Sequence, residues 1–150
     1  MKTQLAIYVS TFVLWHDRIL ILQRRSTEKD FANLWEIPGG RMKASENIQD
    51  ACKRETFEET GLHVHLLEPV SLMEYWKETG RTQMNCVQVN FLCQLKNARE
   101  PRILLSNEHA RYQWVPWNCH GNRLVSKELR KSWKEASARI GTYARLFENV

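Results

Sequence analysis

Three glutamates near the middle of the chain have a spacing that suits metal-dependent chemistry. Glu55, Glu58 and Glu59 lie within five consecutive residues, so a helix would place them on one face, within an arc of roughly 100°. Neighbouring carboxylates repel one another, and burying them without a partner is costly. A divalent cation such as Mg²⁺ prefers oxygen ligands, and it would neutralise these carboxylates while binding phosphate oxygens. Helices with solvated acidic faces show the same spacing, so the three residues alone support both interpretations.

The helix that would carry these glutamates is predicted over residues 46–60. Ser45 is a candidate N-cap, and Gly61 is of the type that commonly ends a helix. The apolar stripe of this helix consists of Ile48, Ala51 and Cys52. Winding the sequence at about 3.6 residues per turn places the three glutamates on the same stripe. Because that stripe should face the core, it favours metal binding over a solvated acidic face.

Predicted strands lie on both sides of this helix in the sequence. Residues 4–15 are rich in β-branched and aromatic types, and a turn at residues 16–18 leads to a second strand that ends at Arg24 and Arg25. Further strands are predicted over residues 34–37, 64–72, 84–95 and 112–115. A second amphipathic helix is predicted over residues 127–140, with one apolar face formed by Leu129, Trp133, Ala136 and Ile140. This order of strands, helix, strands and helix predicts an α+β fold.

Length and composition are those of one globular domain. The chain has 150 residues, of which 43% are hydrophobic and 26% charged, so it can form a hydrophobic core without crosslinks. We therefore expect a single domain over residues 1–150. The formal charge of +5 suits a polyanionic ligand such as a nucleotide, but a basic solvated surface would have the same charge.

The four cysteines and the first apolar stretch of the sequence indicate where in the cell the protein is expected. Neither a Cys-x-x-Cys pair nor a zinc-spaced cluster occurs among Cys52, Cys86, Cys93 and Cys119. We interpret them as reduced structural thiols, which favours a cytoplasmic protein. Residues 5–15 follow a lysine as in a signal peptide, but polar residues interrupt them and they are too short to cross a bilayer. We expect a buried first strand and no membrane partner.

Residues 40–62 carry a longer pattern than the three glutamates. They read Gly-x5-Glu-x7-Arg-Glu-Thr-x-Glu-Glu-x-Gly-Leu, beginning at Gly40 and including Glu46 and Arg54. This segment resembles the Nudix box, Gly-x5-Glu-x7-Arg-Glu-U-x-Glu-Glu-x-Gly-U, in which U is a bulky aliphatic residue. The one departure is Thr56, which stands at a U position. Threonine is close to valine in shape, but its hydroxyl would need a partner.

The resemblance extends beyond the box. The lead-in Trp-Glu-Ile-Pro-Gly-Gly at residues 35–40, the Arg24-Arg25 pair, and Glu108-His109 upstream of a Trp-Val pair are similar to MutT-type members. The likeness covers roughly residues 4–117. It implies the Nudix α/β/α sandwich, in which a mixed β-sheet lies between helices. It also implies hydrolysis of a nucleoside diphosphate linked to another group, by attack of water on phosphorus, with Mg²⁺ or Mn²⁺ as the cofactor.

The resemblance also implies roles for individual residues. The implied metal ligands are Glu55, Glu58, Glu59 and the carbonyl of Gly40. Either Glu55 or Glu58 would lie nearest the attacking water. Glu108 matches a glutamate outside the box that in some members binds metal or acts as a base, although a polar turn residue before a strand is a common alternative.

Other box residues would organise the site. Arg54 would orient a box glutamate by pairing with it, with Glu46 close by. Gly39 would let the loop approach the metal, and Gly61 would end the helix. Substrate contacts are assigned to two residues outside the box: Arg25 to a phosphate or sugar, and Trp35 to a base by stacking. A plain surface arginine and a core tryptophan are the alternatives for these two residues.

The box indicates the chemistry but not the group that leaves. The leading hypothesis is a MutT-like pyrophosphohydrolase that converts a nucleoside triphosphate, including an oxidised one, to the monophosphate and pyrophosphate. The alternatives are an ADP-ribose or nucleotide-sugar hydrolase, which releases a sugar phosphate, and a non-catalytic nucleotide sensor. The expected partner is a nucleotide. Nucleic acid is not expected because no aromatic-basic RNA-binding motif is present, and a homodimer is left open by the sequence.

Overall fold

The computed structural model describes residues 1–95, 97, 99–122 and 124–148. Two helices and seven strands make up the described fold. The strands are β1 (Lys2–Trp15), β2 (Arg18–Arg24), β3 (Trp35–Glu36), β4 (Gly39–Arg41), β5 (His65–Thr79), β6 (Thr82–Gln94) and β7 (His109–Pro116). The helices are α1 (Ile48–Thr60) and α2 (Lys127–Glu148), with a 3-10 turn at Trp117–Cys119. Neither α1 nor α2 is long and apolar enough to cross a membrane.

The seven strands form one mixed sheet around β1. Its path runs β3-β2-β1-β6-β5, while β4 pairs with β1 and β7 pairs with β2. Strands β1 and β6 are parallel over thirteen paired residues, and the remaining pairs are antiparallel. One edge of β1 therefore pairs with β4 at Tyr8–Ser10 and with β2 only at Leu14 and Trp15. Between these two paired segments the β3–β4 connection runs alongside β1, where Thr11 donates its N–H to the Pro38 carbonyl at 2.8 Å.

The two helices cover opposite faces of this sheet. Side chains alternate between the faces along a strand. Ala51 and Cys52 of α1 pack with Val9 of β1 and Phe91 of β6. The predicted apolar face of α2 is buried against the other side, where Trp133 contacts Phe12 with a ring-centroid distance of 5.4 Å. The α+β class and a mixed sheet between helices are thereby confirmed.

The helix that carries the glutamates begins later than predicted. The N-cap is Asn47 rather than Ser45, because the Asn47 side chain accepts a hydrogen bond from the Asp50 N–H at 2.8 Å. The preceding residues form a turn in which the Glu46 side chain accepts from the Lys43 N–H at 2.7 Å, so they cannot join the helix. Gly61 ends α1 as predicted, with φ 73° and its N–H donating to the Phe57 carbonyl.

Two elements extend beyond their predicted ends. Strand β5 continues to Thr79 because it forms a long hairpin with β6 through a turn at Gly80, where φ is +60°. Helix α2 continues past Gly141, a residue that weakens helices. The Trp117 ring packs on this glycine, and a Cβ there would lie 2.6 Å from the ring. Packing of Trp117 therefore requires glycine at position 141, although glycine weakens a helix.

The hydroxyl of Thr56 has the partner that its burial requires. Thr56 is fully buried, its hydroxyl donates to the Cys52 carbonyl at 2.7 Å, and it lies 2.8 Å from the hydroxyl of Thr11 in β1. The departure from an aliphatic residue at this box position is therefore matched by a second threonine on the facing strand. The four cysteines are free thiols, as expected, and burial raises the pKa of Cys52 to about 12.

We expect Thr56→Val to lower the free energy of unfolding by about 1–3 kcal/mol, because the Thr11 hydroxyl loses its buried partner. The double variant Thr11→Val/Thr56→Val should recover most of that loss, since no buried hydroxyl remains unpaired. Urea unfolding measures both. Thr142→Val is the matched control: Thr142 also bonds a carbonyl four residues earlier, at 3.0 Å, but it is exposed. A Thr56→Val protein as stable as the wild type would contradict this account.

Candidate active site

Two glycines of β4 lie directly against two glutamates of α1. The Gly39 N–H donates to Oε1 of Glu59 at 2.8 Å. At Gly40, a Cβ would lie 2.3 Å from Oε2 of Glu55, whereas at Gly39 it would meet the Ser10 hydroxyl at 2.2 Å and the Val9 carbonyl at 2.3 Å. Neither position has room for a side chain. The glycines are therefore what allows the β4 backbone to approach the carboxylates.

Arg54 ties the loop before α1 to the glutamates on the helix. Its guanidinium lies 2.6 Å from Glu46, 2.8 Å from Glu55 and 3.2 Å from Glu58, and it also donates to the Arg41 carbonyl. The hydrogen bonds from Arg54 and from the Lys43 N–H hold the pKa of Glu46 at about 2, and the bond with Glu46 raises that of Arg54. The expected pairing of Arg54 with Glu46 and a box glutamate is present in the structure.

The three glutamates differ in burial more than the helical stripe predicted. The side chain of Glu59 is 6% exposed and that of Glu55 is 14% exposed, but Glu58 is 54% exposed. Glu58 therefore lies at the solvent edge and not on the buried face, because an offset of three residues turns the side chain to the side of the contact line between helix and sheet. Burial raises the pKa of Glu55 and raises that of Glu59 well above its ordinary value.

A histidine and a glutamate outside the box complete the buried part of the site. His109, at the start of β7, is fully buried, and its Nε2 lies 2.8 Å from Oε1 of Glu36 in β3. Its Nδ1 lies 3.2 Å from Oε2 of Glu59. Sequence reasoning singled out the neighbouring Glu108 and did not assign a role to His109 or Glu36. The signal available for Glu36 was a charged residue inside the apolar segment Leu-Trp-Glu-Ile, whereas the neighbours of His109, Glu108 and Arg111 among them, gave no such signal.

The two arginines at the end of β2 have different surroundings. Arg24 is largely buried and pairs with Glu36 at 3.2 Å and with Glu28 and Glu108 at 3.7 Å. Arg25, the residue predicted to contact substrate, is exposed, and its N–H donates to the Glu108 carbonyl at 2.9 Å. Glu108 thus lies beside both arginines, and its charge contributes to the raised pKa of Glu55 and Glu59.

Trp35 does not have the open ring that base stacking requires. It is 9% exposed and belongs to the core that α2 covers. The Arg111 guanidinium lies over its ring at 5.6 Å from the centroid. The stacking role predicted for Trp35 is therefore corrected to core packing: the ring is covered on both sides by the protein itself.

The donor set of the site fits a divalent cation. Carboxylates outnumber the guanidinium groups around it, and burial raises the pKa of Glu55 and Glu59, which a bound cation would reverse by favouring the ionised forms. Carboxylate oxygens suit Mg²⁺ and Mn²⁺. The ligand atoms of Glu36, Glu59 and His109 lie within 4.8 Å of one another and could hold a metal as well. Because both His109 nitrogens face carboxylates, we interpret that imidazole as a bridge between them.

The two glycines should respond differently to alanine. In Gly39→Ala the new methyl meets backbone atoms of β1, so we expect the free energy of unfolding to fall by about 1–3 kcal/mol. In Gly40→Ala the three atoms nearest the new methyl all belong to the Glu55 side chain, which can move, so the protein should stay folded but bind Mn²⁺ more weakly. Thermal unfolding and Mn²⁺ titration separate the two effects. Unchanged Mn²⁺ affinity in Gly40→Ala would contradict the contact with Glu55.

The metal-free protein should lose stability as pH rises. The pKa of Glu59 is raised above its ordinary value of 4.5, so the folded protein retains a proton that the unfolded chain releases. The resulting stabilisation is present at low pH and is lost as pH rises through the folded pKa. We expect Tm in EDTA to fall as pH rises above 4.5, the ordinary pKa of the glutamate side chain. Glu59→Gln cannot ionise at this position, so its Tm should fall less with pH. An equal change of Tm with pH in the wild type and in Glu59→Gln would refute the assignment to Glu59.

Comparison with known proteins agrees with the geometry. A family model described as the NUDIX domain matches residues 5–134. Nudix hydrolase 2 of Arabidopsis thaliana is 25% identical over 77% of this chain and 40% of its own length. The 8-oxo-dGTP diphosphatase of Buchnera aphidicola is 46% identical over 29% of this chain and 35% of its own length. The chain thus spans less than half the length of these curated relatives.

A solved structure shows the same architecture. The crystal structure of the MutT protein from Methanosarcina mazei Go1 superposes with a TM-score of 0.72 and 19% identity, covering 95% of this chain and 97% of that one. The fold is accordingly the α/β/α sandwich of the MutT structures, with the mixed sheet between α1 and α2. With the family model matched over most of its length, this chain belongs to the Nudix family.

Proposed function

We propose that this protein is a divalent-metal-dependent hydrolase that cleaves the phosphoanhydride of a nucleoside diphosphate linked to a second group. The observation that carries this proposal is the contact of Gly39 and Gly40 with the carboxylates of Glu59 and Glu55. It gives a set of oxygen donors with excess negative charge where β4 meets α1.

The metal ligands are assigned to the box glutamates. Glu55 and Glu59, the two buried carboxylates, together with the Gly40 carbonyl and Glu58, would hold Mg²⁺ or Mn²⁺. When bound, the cation supplies charge neutralisation on the phosphate oxygens. Arg54 orients Glu55 through the 2.8 Å contact, so that a flexible carboxylate is fixed before substrate binds.

The attacking water needs a carboxylate that solvent can reach. Glu58 and Glu108 are 54% and 59% exposed, whereas Glu55 is largely buried. Exposure therefore favours Glu58 over Glu55 as the group nearest the water, with Glu108 as the second candidate. A positioned proton acceptor contributes about 10²–10⁴-fold to such reactions.

The substrate class is proposed as nucleoside triphosphates, including oxidised ones, with the monophosphate and pyrophosphate as products. The likeness to an 8-oxo-dGTP diphosphatase over 29% of this chain supports this class. Arg25 is exposed beside Glu108, where its guanidinium is free to meet a phosphate or sugar. The base has no assigned aromatic partner, since Trp35 is buried.

The test is release of pyrophosphate and phosphate from a panel of nucleoside triphosphates, ADP-ribose and nucleotide sugars, with Mg²⁺, Mn²⁺ or EDTA. We expect metal-dependent pyrophosphate release that Glu58→Gln lowers by roughly 100-fold or more. Glu68→Gln is the matched control, because Glu68 pairs with Arg139 and Tyr143 away from the site. Sugar phosphate without pyrophosphate would replace the proposed substrate class with nucleotide sugars or ADP-ribose. Nucleotide binding without any product would refute hydrolysis.

A further inference from the structure

His109 holds a position that the box does not explain. It lies outside residues 40–62, is fully buried, and touches glutamates from two different elements. Its Nε2 is hydrogen-bonded to Glu36 of β3 at 2.8 Å, and its Nδ1 lies 3.2 Å from Glu59 of α1. A buried imidazole with a carboxylate near each nitrogen has a defined orientation, because its polar atoms need partners in particular directions, whereas apolar packing imposes no such directions.

The carboxylate of Glu59 is held at both oxygens. Oε1 accepts the N–H of Gly39 at 2.8 Å, and Oε2 faces Nδ1 of His109. With both oxygens engaged from different directions, rotation about the last side-chain bond of Glu59 is restricted. The remaining lone pairs of the carboxylate then have a defined direction in which to meet a cation.

The His109 ring is itself fixed by its surroundings. Oε1 of Glu36 lies 2.8 Å from Nε2 of His109 and also accepts a hydrogen bond from the Arg24 guanidinium at 3.2 Å. The segment before β7 is tied to the end of α1 by backbone hydrogen bonds, Ser106 N–H to the Glu59 carbonyl at 3.3 Å and His109 N–H to the Ser106 carbonyl at 3.3 Å. The ring is therefore placed relative to α1 by the main chain and relative to β3 by its side chain.

We infer that His109 is a positioning residue that fixes the carboxylate of Glu59, which under the proposed function binds the divalent cation. Glu36 and Arg24 hold the ring, and the ring holds Glu59. Groups that orient a metal ligand in this way typically change metal affinity or activity by about 10–100-fold when they are removed. His109 acts through Glu59 and has no contact with substrate in this assignment.

Three variants separate the two contacts of the ring. His109→Asn keeps an amide nitrogen near the place of Nδ1 and so can still reach Glu59. His109→Gln keeps one near the place of Nε2 and reaches only Glu36, while His109→Leu reaches neither. The readout is the Mn²⁺ dissociation constant of the nucleotide-free protein, measured by electron paramagnetic resonance, so that turnover is not required.

We expect His109→Leu to weaken Mn²⁺ binding by about 10–100-fold and His109→Asn to bind Mn²⁺ more tightly than His109→Gln. In turnover assays the Mg²⁺ concentration for half-maximal rate should rise while the KM for nucleotide stays unchanged. The control is again Glu68→Gln, which should match the wild type. If His109→Leu does not fold, the relative Mn²⁺ affinities of His109→Asn and His109→Gln test the inference.

Several results would overturn the inference. The first is a folded His109→Leu variant with the same Mn²⁺ affinity as the wild type. The second is a His109→Asn variant that binds Mn²⁺ no more tightly than His109→Gln. The third is a wild type that does not bind Mn²⁺. Failure of the proposed function is distinguishable from these outcomes. A wild type that binds Mn²⁺ but hydrolyses no nucleotide would refute hydrolysis, and the same affinity series would still support or refute the role of His109.

Discussion

The carboxylate of Glu59 is buried between α1 and the sheet, and the residues around it are arranged to make that burial tolerable. An isolated charge in such a place would be strongly unfavourable, and burial raises its pKa accordingly. The Gly39 N–H and the His109 ring engage its two oxygens. Elements that are distant in sequence thus converge on one carboxylate. Their convergence leaves a concentration of negative charge that a divalent cation would relieve.

Strand β1 determines where this convergence occurs. It is parallel to β6 along most of its length, which fixes it at the centre of the sheet, and its other edge is divided between β4 and β2. The division places β4 beside the middle of β1, at Tyr8–Ser10, and lets the Gly39-Gly40 backbone reach α1. Since α1 and α2 cover opposite faces, the glycines lie at the helix that carries the glutamates.

Two arginines organise the carboxylates in separate groups. Arg54 holds Glu46, Glu55 and Glu58 on the α1 side, and Arg24 pairs with Glu36 and Glu108 on the β2 side. Each guanidinium offers several donors in a rigid plane, which suits it to hold more than one carboxylate. Among the residues that the structure describes, Glu59 is paired with no arginine, and the His109 side chain connects it to the second group through Glu36.

The sequence by itself determined the features that depend on local spacing: the box at residues 40–62, the α+β order of elements, the end of α1 at Gly61, and the pairing of Arg54 with Glu46. These follow from periodicity or from a pattern that identifies the family. It could not show that Asn47 caps α1, because the turn at Lys43 competes for those residues. Nor could it show that Glu58 is exposed, which depends on the rotation of the helix against the sheet.

Only the tertiary structure decided which distant residues meet at the site. His109 and Glu36 are 73 residues apart in sequence, and their contact depends on β7 and β3 both pairing with β2. The same arrangement placed Trp35 in the core, although the sequence presented it as a substrate contact, and left Arg25 exposed beside Glu108. Local patterns specify which residue types are available and which side chains share one face of a helix or strand. Contacts between strands depend on sheet order and register, which non-local packing sets.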